Sequence, residues 1–341
     1  MNATLLDRAD RLTDSVALVD RILRAGMLMH ASDIHLDPME NGLRCRFRID
    51  GELEEVLNIP SAMQSAVASR LKVLASLDIA ERRAPQDGGF SWRAPGMGAA
   101  AQPLDVRMAT LPVRHGERIT LRLLETGGKR LTLDDLGMCE NDRALFGSIL
   151  KKPHGMVLLT GPTGSGKTTT LYAAINELLK TGARNIVTVE DPVEYEIPGI
   201  AQVEVDAVAD KVNYSKALRS LLRHDPDICV IGEIRDRESA ETAVRCALTG
   251  HLVFSTLHTN DAASAHARLV DLGIDAALVD GTLRLVVAQR LVKRKGGGRI
   301  GIFEMWRPGE DAKPATMRED AMRKVEEGVT TLAEVERVLG E

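Results

Sequence analysis

The chain has 341 residues, of which 44% are hydrophobic and 27% charged, and its formal net charge is −5. This balance is typical of a folded protein with a substantial core and room for two domains. The acidic charge argues against a protein that binds nucleic acid over its surface, and no apolar run approaches the roughly 18 residues of a membrane span. Charged residues throughout 1–20 argue against a secretory signal, so a cytoplasmic protein is expected.

The first 126 residues have the pattern of a small α/β domain. Asp14 is placed to cap a helix with an apolar stripe of 3.6-residue period. After a strand-like segment at 33–36, apolar residues alternate with arginines over 43–49, which predicts a half-buried strand with a basic outer face. Asp50 and Gly51 then form a hairpin-turn signal. The other predicted elements are a helix at 63–77, a loop tip at 94–103 and strands at 106–108 and 119–124.

From residue 136 to the end, strand patterns alternate with helix patterns, and 127–135 is predicted to be a linker. Such alternation predicts a mostly parallel sheet covered by helices. The predicted strands lie at 156–160, 186–190, 228–231 and 252–256, and the helices at 167–180, 214–223 and 237–248.

A glycine-rich turn after the strand at 156–160 fits the phosphate-binding pattern G-x-x-x-x-G-K-[ST]. Glycines let successive backbone N–H groups point at phosphate oxygens, and the following helix adds its positive N-terminal end. Lys167 is expected to reach the β- and γ-phosphates of a nucleotide, and Thr168 to offer its hydroxyl to Mg²⁺. The predicted nucleotide-binding residues are Gly161, Pro162, Thr163, Gly164, Ser165, Gly166, Lys167, Thr168 and Thr169.

Carboxylates follow two of the predicted strands. Glu190 ends one of them and opens a segment that also contains Glu194, and Glu233 follows another. The carboxyl ends of strands are where doubly wound folds bind ligands. Glu233 therefore matches a Walker B carboxylate, held beside Mg²⁺ and the attacking water. The glycine before it, Gly232, indicates that the backbone passes close to another segment.

Two histidines, His251 and His258, bracket the predicted strand at 252–256. A lone histidine is usually structural. At a strand end, however, either residue could instead contact the γ-phosphate, and the sequence favours His258 over His251 for this sensing role.

Together these motifs resemble the secretion traffic ATPases, in the branch that drives type II secretion and type IV pilus assembly. The resemblance extends from about residue 12 to residue 339, with four boxes in the family's order. They are the P-loop at 161–168, an aspartate box at 190–194, the Walker B region at 225–236 and a histidine box at 249–258. The N-terminal half matches family signatures at 31–35, 46–51, 85–88 and 115–118.

The resemblance implies an N-terminal α/β domain of PAS-like type, a RecA-like ATPase domain and a ring-shaped homo-hexamer that uses ATP and Mg²⁺. Two arginines of the N-terminal domain, Arg107 and Arg122, match the family's pair that approaches the phosphates. A planar guanidinium stabilises charge on a transferred phosphoryl group. Without the resemblance, both arginines would be expected to be solvated residues on a strand face. Glu190 and Glu194 are expected to assist Glu233 in orienting or deprotonating the water.

The implied function is a motor for type II secretion or pilus assembly, recruited peripherally to the inner membrane by a platform protein. A pilus retraction motor is one alternative, although 115–118 and 316–335 resemble the assembly and secretion type. A DNA-directed motor of conjugation or competence is another, which the acidic charge and the 3% of aromatic residues disfavour. A non-enzymatic nucleotide-gated scaffold is disfavoured by the intact Lys167 and Glu233.

Two departures from the family pattern are expected to matter. The match begins almost at Met1, so the usual N-terminal docking domain is expected to be absent. The family's tetracysteine zinc module is replaced by a triglycine at 296–298, from either an engineered deletion or a naturally short form, and no zinc is expected. The four cysteines form no C-x-x-C pair and are expected to be reduced, buried thiols: Cys45, Cys139, Cys229 and Cys246.

Overall fold

The computed structural model describes residues 14–96, 103–124, 131–180, 182, 184–205, 214–309 and 315–340. The chain divides into two compact units, Met1–Gly128 and Lys129–Glu341, each with its own sheet. The first part of the predicted linker, 127–130, and most of the predicted loop tip, 97–102, lie outside the described residues.

In its described residues, the N-terminal unit consists of an antiparallel sheet and two helices. Its six strands are ordered β3-β2-β1-β6-β5-β4. The apolar alternation explains the core, because Leu43, Cys45 and Phe47 of β2 are buried together with residues from both helices. The elements are α1 (Ser15–Leu28), β1 (Asp33–Met39), β2 (Gly42–Ile49), β3 (Glu52–Pro60), α2 (Ser61–Leu74), β4 (Gln86–Trp92), β5 (Leu104–Val113) and β6 (Gly116–Leu124).

Local signals in this unit are confirmed. The Asp14 side chain accepts a hydrogen bond from the Val16 N–H at 3.0 Å and caps α1. Asp50 and Gly51 have φ values of 50° and 89°, as a two-residue turn between β2 and β3 requires. The sequence analysis missed β3, because this edge strand is mostly exposed and acidic residues interrupt its apolar alternation.

The C-terminal unit contains a seven-stranded sheet ordered β13-β12-β7-β11-β10-β8-β9, in which only the β12–β13 pair is antiparallel. The mostly parallel sheet is thereby confirmed. Helices cover its two faces with separate apolar clusters. The elements are a 3₁₀ turn (Leu133–Leu136), α3 (Glu140–Leu150), β7 (Gly155–Thr160), α4 (Lys167–Leu179), β8 (Ile186–Glu190), β9 (Ala201–Glu204), α5 (Tyr214–Leu221), β10 (Ile228–Ile231), α6 (Arg237–Leu248), β11 (Leu252–Leu257), α7 (Ala263–Asp271), α8 (Ala276–Thr282), β12 (Leu283–Lys293), β13 (Arg299–Trp306), α9 (Met317–Glu326) and α10 (Leu332–Leu339).

Parallel strands bring their carboxyl ends to one edge of this sheet. The register pairs Thr160 of β7 with Leu257 of β11, and Ile231 of β10 with Ser255 of β11. The loops after β7, β11, β10 and β8 therefore emerge side by side, and the predicted nucleotide-binding and acidic residues follow these strands. The edge is called the carboxyl edge below. The triglycine at 296–298 lies in the turn between β12 and β13.

Candidate nucleotide site

The P-loop curls between β7 and α4 at the carboxyl edge. Its glycines Gly161, Gly164 and Gly166 have φ values of 146°, 77° and 89°, which residues with a side chain rarely adopt. Gly161 and Ser165 are buried, whereas Pro162, Thr163 and Gly164 are exposed. The middle of the loop is therefore open to a ligand, while Gly161 and Ser165 on either side of it are buried.

Lys167 is the first residue of α4 and turns back over the loop. Its Nζ donates hydrogen bonds to the carbonyl oxygens of Gly161 at 2.7 Å and Pro162 at 3.1 Å. Desolvation lowers the pKa of the Lys167 ammonium group, and Glu233 partly offsets this by raising it. The Glu233 carboxylate therefore contributes to the electrostatic environment of the P-loop lysine.

Glu233 follows β10, and its backbone is fixed by Tyr214 of α5. The Tyr214 hydroxyl donates to the Glu233 carbonyl at 2.9 Å and accepts from the Glu233 N–H at 3.0 Å. Burial raises the pKa of Tyr214 to about 12. The preceding Gly232 lies against β8, where a Cβ atom would stand 3.1 Å from the Val189 carbonyl oxygen. The close approach that Gly232 indicated is therefore present, and a larger residue here would need the β8 backbone to shift by a few tenths of an ångström.

Each carboxylate oxygen of Glu233 meets a side chain. His258 Nε2 lies 3.2 Å from Oε1, and Arg235 Nε donates to Oε2 at 2.8 Å. Arg235 Nη1 also donates to Asp191 of the aspartate box at 3.1 Å, so it bridges two acidic segments. The sequence analysis missed Arg235 and Tyr214, since neither residue type at those positions signals a contact with Glu233.

The two histidines lie at opposite ends of β11. The exposed His258 stands at the carboxyl edge, and the Thr259 that follows it is tied to Thr160 at the end of β7 by the Thr259 N–H at 2.9 Å. The His251 ring instead contacts the Cys246 carbonyl oxygen at the end of α6 at 2.9 Å. The His251 carbonyl accepts from the N–H of Gly155, the first residue of β7, at 3.1 Å. His251 is therefore remote from the P-loop, and the structural interpretation fits it.

Glu190 ends β8 at the same edge, but its carboxylate is buried and already accepts three hydrogen bonds. The donors are the Tyr172 hydroxyl, the Thr188 hydroxyl at 2.6 Å and Gln202 Nε2 at 3.2 Å. The Tyr172 hydroxyl in turn accepts from the backbone N–H of Glu194 at 3.3 Å. This network joins the P-loop helix α4, which carries Tyr172, to the aspartate box. Glu190 is thus placed to hold the two segments together, and a direct contact with water stays a prediction.

Arg107 and Arg122 belong to the sheet of the N-terminal unit, where β5 and β6 place them directly opposite each other. Arg122 is also paired across β1 with Asp33, and its Nε lies 3.1 Å from Asp33 Oδ1. On the far side of Asp33, β2 contributes Arg48. One row across four strands therefore carries three guanidinium groups and one carboxylate, an excess of positive charge suited to an anion.

The residues predicted to hold Mg²⁺ fit that ion chemically, since a threonine hydroxyl at Thr168 and a carboxylate at Glu233 are both oxygen donors. Within the described ranges, no cluster of three or more histidine, cysteine, aspartate or glutamate side chains is arranged to hold a metal by itself. Among the described helices, none combines the length and apolar character needed to cross a membrane.

Comparisons with known proteins show which family the chain belongs to. The family model of the type II/IV secretion system protein matches residues 9–298. Type II secretion system protein HxcR of Pseudomonas aeruginosa is 43% identical over 378 aligned positions, covering 98% of this chain and 79% of that protein. Type II secretion system ATPase E of Vibrio cholerae is 47% identical over 292 positions, covering 86% of this chain and 56% of that protein.

The same fold occurs in a crystal structure of the pilus retraction motor PilT with bound ADP. It superposes with a TM-score of 0.69 at 28% identity, over 93% of this chain and 96% of PilT. The predicted RecA-like architecture and the predicted ATPase activity are confirmed by these relatives. This chain belongs to the type II/IV secretion system protein family and is an ATP-hydrolysing secretion ATPase.

Proposed function

We propose that the chain is the hexameric motor of a type II protein secretion or type IV pilus assembly system. The observation that carries the proposal is the meeting of the P-loop, Glu233 and His258 at one sheet edge. The relatives at 43% and 47% identity are named as type II secretion proteins, whereas the retraction motor PilT is 28% identical. This difference favours secretion or assembly over retraction.

ATP binds with its phosphates on the backbone N–H groups of the P-loop and on Lys167. To reach the phosphates, the Lys167 ammonium group exchanges its bonds to the loop carbonyls of Gly161 and Pro162 for phosphate oxygens. Thr168 and Glu233 would hold Mg²⁺, which when bound neutralises charge on the phosphate oxygens. The positive end of α4 adds to the field that favours the anion.

Hydrolysis requires a group that orients or deprotonates the attacking water, and Glu233 takes this role. Its carboxylate is held by His258 on one oxygen and by Arg235 on the other. Both contacts limit its rotation, so the group is preorganised for one direction of approach. His258, exposed beside Glu233, is the candidate for contact with the γ-phosphate, while Glu190 and Glu194 keep the aspartate box in register with α4.

Arg107 and Arg122 complete the site in the assembled ring, where N-terminal units supply them. Their guanidinium groups stabilise charge that develops on the transferred phosphoryl group. Opening and closing of the site over each cycle of hydrolysis then moves a partner. The partner we propose is a membrane platform protein that lifts pilin-like subunits, which would recruit the ring to the inner membrane.

The test is the steady-state rate of ATP hydrolysis, measured with and without single-stranded DNA. Turnover that is lost in Lys167→Ala and is unchanged by DNA supports the proposal. A large stimulation by DNA would favour a DNA-directed motor, and turnover equal to that of Lys167→Ala would mean a non-enzymatic, nucleotide-gated protein.

A further inference from the structure

Gln289 is a buried polar residue that contacts the P-loop from the neighbouring strand. It lies on β12, which runs parallel to β7, and the register pairs Ala288 with Thr160. Gln289 therefore stands one residue beyond the end of β7, alongside the loop. Only 1% of its surface is exposed, so its amide is removed from bulk solvent.

The Gln289 amide makes one hydrogen bond to the loop, from Nε2 to the carbonyl oxygen of Ser165 at 2.7 Å. A carbonyl oxygen only accepts hydrogen bonds, so the amide nitrogen must be the atom that faces it. The backbone of Gln289 also touches the loop, because a Cβ atom on Gly161 would stand 2.4 Å from its carbonyl oxygen. A Cβ atom on Gly166 would stand 3.1 Å from Nε2. One residue of β12 thus contacts the beginning and the end of the P-loop.

The bond to Ser165 fixes more than a carbonyl group. The peptide unit between Ser165 and Gly166 is planar and trans, so its N–H points in the direction opposite to its C=O. With the carbonyl turned toward Gln289, the Gly166 N–H is turned away from β12. This N–H belongs to the run of backbone donors that a P-loop offers to phosphate.

We infer that Gln289 is a positioning residue of the nucleotide site, whose side-chain amide holds the Ser165–Gly166 peptide with its N–H toward the bound phosphates. The inference rests on the proposed nucleotide-binding function of the P-loop. Without the amide, the Ser165 carbonyl would be buried with no hydrogen-bond donor. The peptide would then lower its free energy by rotating until the carbonyl reaches another donor. Rotation would turn the Gly166 N–H away from the phosphates.

The test replaces the amide and measures nucleotide binding without chemistry. Gln289→Leu removes the donor at similar volume, and Gln289→Met is a second, more flexible replacement if the leucine variant does not fold. Binding of a fluorescent ADP analogue is titrated well below the melting temperature of each variant. We expect the dissociation constant to rise by about ten- to a hundredfold, consistent with the loss of a buried hydrogen bond. The kcat at saturating ATP should fall by less than about tenfold, because the lost contact holds substrate and transition state alike.

The matched control is Thr282→Val, at the last residue of α8, immediately before β12 begins. Thr282 is buried, and its hydroxyl donates to the Leu278 carbonyl at 2.7 Å, so valine deletes one buried hydrogen bond in the same unit. We expect Thr282→Val to lower the melting temperature and leave ADP binding unchanged.

Two outcomes would overturn the inference. One is a dissociation constant of the Gln289 variants within twofold of the wild type. The other is equal weakening in Thr282→Val, which would mean that lost stability alone explains the effect. If the wild-type chain itself failed to bind ADP, the proposed nucleotide-binding function would be wrong. This result is distinguishable from a failure of the Gln289 inference, in which the wild type binds ADP and the variants bind it equally well.

Discussion

Arg107 and Arg122 stand directly opposite each other on β5 and β6, so two guanidinium groups occupy neighbouring positions on one sheet face. Like charges in such a pair are destabilising, and on its other side Arg122 is paired with the carboxylate of Asp33. An anion that binds against this row would relieve the repulsion. This arrangement is the basis for our proposal that the two arginines act on a phosphate-bearing ligand.

We expect Arg107→Ala and Arg122→Ala each to lower the kcat for ATP by about a hundredfold or more, since arginines that stabilise phosphoryl transfer contribute up to 10³–10⁵ in rate. The dissociation constant for ADP should change by no more than a fewfold. Steady-state kinetics and ADP titration separate the two effects. Arg93→Ala, a substitution in the same unit outside this row, serves as the control, and equal losses in all three variants would contradict the assignment.

Glu233→Gln is expected to bind ATP with near-wild-type affinity and to hydrolyse it about 10²–10⁴ times more slowly, because glutamine cannot accept the proton of the water. ATP binding by fluorescence and phosphate release give the two quantities. Glu241→Gln is the control, since Glu241 is an exposed carboxylate on α6 that forms an ion pair with Arg237 at 2.7 Å. Turnover of Glu233→Gln close to that of the wild type would remove Glu233 from the catalytic role.

The two histidines that bracket β11 offer an internal comparison. We expect His258→Gln to lower kcat by about tenfold without changing ADP affinity, because His258 lies beside Glu233 at the carboxyl edge. His251→Gln should leave kcat unchanged and lower the melting temperature, because His251 contacts the end of α6. A loss of kcat in His251→Gln, with kcat unchanged in His258→Gln, would mean that His251 has the catalytic role and His258 the structural one.

Elements whose signal lies within their own segment could be predicted from the sequence, whereas contacts between distant segments could not. The strand at 228–231 and the helix at 237–248 have the predicted bounds, because continuous apolar runs and amphipathic periods are properties of the segment itself. The P-loop and the position of Glu233 follow from the same kind of signal.

The contacts of Tyr214 and Gln289 could not be predicted in this way. Each acts through a neighbour that is distant in sequence, Glu233 in the first case and Ser165 in the second. The burial of the Glu190 carboxylate could not be predicted from the sequence either, because its hydrogen-bond donor Tyr172 belongs to another element. His251 and His258 bracket one strand almost symmetrically, and only the direction of β11 in the sheet assigns them to different edges.

The family signature at 115–118 has a structural explanation in the fold of the N-terminal unit. Glu117 is buried and forms an ion pair with Lys72 of α2 at 2.5 Å, and Lys72 also donates to the Glu81 carbonyl. Removing one member leaves the other charge buried without its counter-ion. We expect Lys72→Met and Glu117→Leu each to reduce the free energy of unfolding by about 3–5 kcal/mol.

The double variant tests whether this cost comes from the unpaired charge. Lys72→Met combined with Glu117→Leu should lose clearly less than the sum of the two single variants, because no buried charge is left. Urea denaturation of the four proteins gives the coupling energy. Strict additivity would mean that the two side chains contribute independently.

We propose that the nucleotide site becomes fully active only in the assembled ring. The specific ATPase rate as a function of protein concentration, with the molar mass measured by light scattering at each point, tests this proposal. We expect specific activity to rise steeply as hexamers form, and Arg107→Ala and Arg122→Ala to abolish the rise. Full activity of the monomer at every concentration would contradict it, because each site would then be complete within one chain.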